Sequence, residues 1–131
     1  VIAVGATRYD ETRAPYSNYG ASLDIVAPGG DTSVDQNGAG YGDGVLQNTF
    51  NPTTKNTSNF GYWFFQVTSM ASPHVAGVAA LVISKGIASA PSDVRTVLQS
   101  TAEDKGVSGW DSTYGWGLLD ASAAVQYVPT P

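Results

Sequence analysis

The chain contains no cysteine and only one histidine, His74. Without cysteine there is no disulfide framework, no thiolate metal site and no cysteine nucleophile; such a composition suits a secreted protein. Charge is also scarce, at 13% of residues. The 6 basic side chains are outnumbered by 11 acidic ones, leaving a net charge of −5. An acidic surface repels phosphate, so nucleic acid and anionic membrane are both excluded as partners. No apolar run reaches the length of a membrane span. The N-terminus, VIAVGATRYD, has no initiator methionine, no basic leader and no cleavage-site pattern. It opens directly in a strand, as though cut from something longer.

What is present is a turn-rich globular composition: 42% hydrophobic residues, 15 glycines and 7 prolines in 131 positions. That is about one domain's length and enough to bury a core. Val1 to Ala6 reads as a buried strand, suited to a parallel sheet. A second short strand, Leu23 to Gly29, is stopped by Pro28-Gly29. Residues 30–62 are dense in Gly, Asn, Asp and Thr and read as an extended loop or hairpin; so long a segment inside a compact domain is functional or tied down. A helix is expected over about 69–85, apolar almost all round and therefore buried. Pro73 fits only near its first turn, which puts Ser69 at its N-terminus. A second helix begins near Pro91, with Val94, Val97, Leu98 and Thr101 on one face and Asp93 in its first turn. A last helix spans about 120–127 with Asp120 as N-cap. The PTP tail is expected to fray.

The stretch FQVTSMASPHVAG, Phe65 to Gly77, carries the chemistry. A serine at a helix N-terminus sits where the positive end of the dipole and unpaired N–H groups stabilise an oxyanion. The same position also suits a plain N-cap, so the position alone leaves both roles open.

The wider pattern decides between them. TSMASPHVAG followed by an alanine-rich helix resembles the nucleophile motif of the subtilisin-like serine proteases, the subtilases. VIAVGA, YSNYG and LDIVAPG resemble family segments upstream of that serine. PSDVRTVLQSTA and YGWGLLDASAAV resemble the two helices that close the catalytic domain. The resemblance covers nearly the whole chain except 30–62. It implies an α/β, three-layer fold with a mostly parallel sheet and a buried central helix starting at the nucleophile, of which this chain is the C-terminal half.

The resemblance further identifies Ser69 as the nucleophile and its N–H as half of the oxyanion hole. It places Phe65, Gln66, Val67 and Thr68 against substrate, and it makes His74 a packed helix residue rather than the base. The Asp, the His and the oxyanion Asn of the family all lie upstream of this segment. The expectation is therefore a serine endopeptidase fragment, inactive alone, whose partners are a protein or peptide substrate and the N-terminal half of its own domain. The competing expectation is a non-catalytic fragment or inactive homologue with a structural, self-associating or calcium-binding role. Val67 bears on that choice, because the family has glycine there and a β-branched residue strains the turn or crowds the cleft. Within the aromatic run before the serine, Trp63 and Phe64 read as core and cleft-wall packing.

One further motif is independent of the serine. DQNGAGYGD, Asp35 to Asp43, resembles an oxygen-ligand loop for Ca²⁺. Asp35 and Asn37 would be ligands, Gly40 the turn glycine, Tyr41 a carbonyl donor and Asp43 the ninth position, with Asp31 substituting from upstream. Ala39 and Leu46 occupy positions where acidic or amide ligands are expected. The plain alternative is a polar surface turn. Asp24 lies near the first strand, where a second cation would bind in some subtilases, but reads as structural. Asn56 opens an N-T-S glycosylation pattern. Half a parallel sheet would also leave an edge and an apolar helix exposed, favouring self-association.

Overall fold

The structure, a computed structural model, describes residues 1–128; the PTP tail lies outside the described residues. Seven elements follow in chain order: β1 (Val4–Thr7), β2 (Ile25–Pro28), β3 (Val45–Phe50), β4 (Phe60–Phe65), α1 (Thr68–Ser84), α2 (Pro91–Thr101) and α3 (Ala121–Gln126).

β1 and β2 are parallel, with Val4 opposite Ile25 and Ala6 opposite Ala27. A third row is added where the Val26 amide donates to Gly117 O at 3.0 Å and Leu119 donates back to Val26 O at 2.9 Å. β2 is thus buried on both faces. Ile25 and Ala27 join Ala71, Val75, Val78 and Val82 of α1 with Val94, Val97 and Leu98 of α2 in one cluster. Val26 points the other way, into a cluster with Leu23 and Leu118. Burial on both sides explains why Leu23–Gly29 lacks a polar alternation. Each fully buried valine or leucine contributes about 1.5–3 kcal/mol relative to exposure.

α1 packs against β1, β2, α2 and α3. The expectation of burial all round is corrected here: Ala71, Val75, Val78 and Val82 are buried, while Leu81 and Ile83 are half exposed. The described residues supply layers for one face of this helix only. α2 matches its expected face, and Asp120 caps α3 by accepting the Ala123 amide at 2.8 Å. Asp24 is structural. It is buried at the start of β2, accepts the Ala3 amide and the Gln99 amide nitrogen at 2.8 Å each, and pairs with Arg95.

The 30–62 region is not wholly irregular. Its second half contains β3 and the start of β4, an antiparallel hairpin in register from Val45–Phe65 to Phe50–Phe60. Trp63 is half-buried, but Phe64 is exposed and lines a cavity beside Tyr41, which corrects the core part of its expected core and cleft-wall packing. Period-two alternation turns Tyr62 and Phe64 to the same open face.

Tyr16 braces the exit of β2 by donating its hydroxyl to Gly30 O at 2.5 Å. Burial first, and then the negative charge of Asp31, push this phenol up to about 12 from its ordinary 10.0. The neutral phenol therefore contributes stability fully below pH 10 and loses it as pH rises through about 12. Ultraviolet titration should show one of the 7 tyrosines ionising late. Tyr16→Phe should delete that step; a late step that persists in the variant would assign it elsewhere.

Candidate active site

β4 ends at Phe65 and α1 begins at Thr68, so only Gln66 and Val67 turn the chain from strand to helix. Three contacts hold this corner. The Val67 amide donates to Gly29 O at 3.3 Å, and Met70 donates back to Val67 O at 2.9 Å. Gln66 Oε1 accepts from the Thr32 amide at 2.5 Å and from its hydroxyl at 2.9 Å. Gly29 is required for the approach. A Cβ there would stand 2.5 Å from Ala6 Cβ, 2.7 Å from the Tyr16 hydroxyl and 3.1 Å from Val67 O.

Val67 itself sits at φ 157°, ψ 174°, a region that is essentially glycine's alone. The side chain is exposed. Holding a β-branched residue in such a conformation costs about 1–3 kcal/mol.

Ser69 is the second residue of α1 and is exposed. The cap position belongs to Val67, with no side-chain cap hydrogen bond, so Ser69 is not the N-cap of the helix. Its amide is among the first four of the helix, which have no intrahelical acceptor. Pro73 lies just past the first turn rather than within it. Lacking an N–H, it leaves the Ser69 carbonyl without its usual i+4 donor. His74 is exposed rather than packed. Its Nδ1 donates to Met70 O at 2.7 Å, so the only imidazole of the chain is committed to its own helix.

Of the remaining substrate-contact candidates, Phe65 is half-buried and paired with Val45, and Thr68 is half-buried at the first helical position. Gln66 has its amide oxygen turned to Thr32, which makes it a brace for the corner.

The 31–43 loop closes on itself. Asp31 donates its amide to Asp43 O at 2.7 Å, and Asp43 donates to Val34 O at 2.8 Å. Asp35 accepts the Ala39 and Gly40 amides at 3.0 and 2.8 Å, and Asn37 also accepts from Ala39, at 2.8 Å. Gly40 takes the left-handed φ of 84° expected of the turn glycine. Asp31 is buried; the Ser33 hydroxyl foremost, then the Ser33 amide and Arg8, hold its carboxyl below the usual value against the desolvation that raises it.

Among the described residues no three acidic or histidine side chains converge on a metal-sized centre. Asp31 is engaged by Arg8 at 3.1 Å. Asp43, also buried, accepts the Gln36 amide at one oxygen, while its Oδ1 has no partner. Asp43, Asn37 and Tyr41 line one cavity of about 160 Å³. The donor set therefore fits a hard cation in kind, with fewer oxygens gathered than the six to eight it takes.

Sequence reasoning missed Thr32 and Tyr16, which support the corner from a distance of 34 residues and across the Gly30 carbonyl. The only sequence signal was the Pro28-Gly29-Gly30 run, which marks a close backbone approach.

Comparison with known protein families matches residues 1–117 to the subtilase family. Subtilisin DY of Bacillus licheniformis is 40% identical over 126 residues, covering 96% of this chain and 37% of the relative. An extracellular protease of Xanthomonas campestris is 39% identical over 127 residues, covering 95% of this chain and 19% of the relative. Among solved structures, a protease from Pseudoalteromonas arctica superposes with a TM-score of 0.78 at 36% identity, covering 96% of this chain and 35% of that one. The chain thus spans well under half the length of each.

Proposed function

The chain belongs to the subtilase family, and on that premise we propose that it carries the nucleophile of a secreted serine endopeptidase. The carrying observation is Ser69: exposed, free of a capping role, and set at the N-terminus of a helix that is anchored in the core along one face. Its Oγ attacks the scissile carbonyl carbon while a histidine outside this segment takes the hydroxyl proton. The Ser69 N–H and an asparagine amide, also from outside, hold the oxyanion. Collapse of the intermediate breaks the C–N bond, and the histidine returns the proton to the departing amine. Water then cleaves the acyl ester. Phe65, Gln66, Val67 and Thr68 flank the substrate, with Gln66 also bracing the corner. Without the outside histidine, aspartate and asparagine, the segment alone is inactive.

A second reading, an inactive homologue with a structural role, is favoured by one observation: Val67 in a conformation reserved for glycine. Both readings are tested with a fluorophosphonate probe and a peptide substrate on the full-length protein. Labelling should be lost in Ser69→Ala and absent from residues 1–131 alone. Val67→Gly should raise kcat/KM by removing a β-branched side chain two residues from the nucleophile. Equal values for the parent protein and the Val67→Gly variant would remove Val67 from the account, and no labelling of either would establish the inactive reading.

The same proposal includes a structural calcium ion in the 31–43 loop, held by Asp35, Asn37, the Tyr41 carbonyl and Asp43, with Asp31 behind them. The support is Asp43 Oδ1, buried and unpartnered on a cavity it shares with Asn37 and Tyr41. Added calcium should raise Tm in the full-length protein and Asp43→Asn should abolish the rise; a Tm indifferent to calcium and chelator would refute it. Secretion is proposed from the lack of cysteine and from the printed name of the Xanthomonas relative. The N-terminal half of the domain is proposed to cover the open face of α1, where Leu81 and Ile83 are exposed. Residues 1–131 alone should therefore self-associate in sedimentation; a monodisperse monomer would refute that.

A further inference from the structure

Two apolar surfaces remain open in this structure, and they differ in chemistry. The open face of α1 presents Ala76, Gly77, Ala80 and Leu81 without an interposed amide or phenol, the composition of a surface meant for permanent burial. The outer face of the β3–β4 hairpin is different. Phe60, Tyr62 and Phe64 project from β4 at every second residue and are 60%, 71% and 43% exposed. Leu46 stands opposite Phe64, and Asn48 opposite Tyr62. Tyr41 adds its ring beside Phe64, at a centroid distance of 6.0 Å.

Phenols and an amide set among rings describe a surface that stays wet until a partner arrives, since aromatic residues with a polar end are the usual anchors of reversible interfaces. The hairpin also forms an arm. Its base packs on the loop before it, where Val45 and Phe64 line a cavity with Asn37, Tyr41 and Asp43, while the connection at its far end, Asn51 to Asn59, is almost wholly exposed and polar. The arm is continuous with the site: the strand that bears the rings runs directly into Gln66, Val67 and the nucleophile.

We propose that this strip is a docking surface for the polypeptide substrate itself, engaging an extended apolar segment several residues from the scissile bond. The spacing fits. Alternate residues of β4 recur at roughly 6.8 Å, the same interval at which an extended peptide presents alternate side chains. From Phe64 to Phe60 the strip runs about 14 Å, long enough for four or five substrate residues. The strip and Ser69 belong to one continuous stretch, β4 leading through Gln66 and Val67 into α1, and the Gln66–Thr32 contact holds the turn between them. The consequence is a preference for long or unfolded chains over short peptides. The inference rests on the protease reading for the identity of the ligand, and its test is arranged so that the two can fail separately.

The experiment uses the full-length protein carrying Ser69→Ala, so that binding is read without turnover. Three fluorescent peptides share one core sequence. One is extended by six residues of alternating Leu and Ser on the amino side, one likewise on the carboxyl side, and one by Ser and Gly alone. Anisotropy should show one of the two Leu peptides binding at least about tenfold more tightly than the Ser-Gly peptide. The double variant Tyr62→Thr/Phe64→Thr, which keeps strand-forming residues, should abolish that advantage and leave Ser-Gly binding unchanged. Equal affinities for all three peptides would overturn the proposal, as would an advantage that survives the double variant. A fall in Tm or solubility of the double variant would also overturn it, by showing the strip to be buried against the rest of the protein. Hydrolysis of the same peptides by the protein with Ser69 intact reports the protease reading alone: no cleavage and no fluorophosphonate labelling would defeat that reading while the anisotropy still judges the strip.

Discussion

The corner between β4 and α1 is the constraint on which the rest of the structure depends. Two residues must turn a strand into a helix and leave a serine at its mouth in a fixed position. Local chemistry does not hold that corner; it carries a valine where the backbone asks for glycine, and the helix begins without a side-chain cap. The support comes from elsewhere, through the Gly29 carbonyl on the Val67 amide and Thr32 on Gln66. These two holds place the exit of β2 under the corner. β2 in turn is fixed by burial on both faces, so the position of Ser69 is inherited from the core.

The same inheritance explains the acidic loop. Asp31 is one residue before Thr32, and its buried carboxylate is held by Ser33 and Arg8 while its amide bonds to Asp43. The loop is therefore less a surface ornament than the foundation of the Thr32 brace. Anything that orders 31–43 acts on the β4–α1 corner through the short path from Asp31 to Thr32 and Gln66. The strained Val67 lies at the end of that path, where rigidity is needed to keep an unfavourable backbone angle populated.

Much of this was legible in the sequence. The α2 face, the Asp120 cap and the start of α1 followed from periodicity and capping chemistry, because those signals are local and repeat within a few residues. The likeness of TSMASPHVAG to a nucleophile motif singled out Ser69, and the structure adds that it is exposed at the second position of α1. Other features were misjudged for one reason: hydrophobicity reports what a residue would prefer, not what covers it. The apolar circumference of α1 reads as burial all round, yet Leu81 and Ile83 are open in this segment. Phe64 reads as core or cleft wall for the same reason, and strand alternation turns it outward, onto the cavity beside Tyr41.

The sequence by itself pointed to the family and marked Ser69 as the candidate nucleophile, and it determined the helices and the absence of any thiol or second histidine within the segment. Tertiary structure alone decided that Gln66 is a brace, that Tyr16 and Thr32 support the site, and that Val67 occupies a glycine conformation. It also set the rings of the hairpin on one open face. The physical reason is range. Propensity, capping and motif act between neighbours in the chain, whereas a hydrogen bond spanning 34 residues or a backbone angle imposed by packing exists only once distant segments have met.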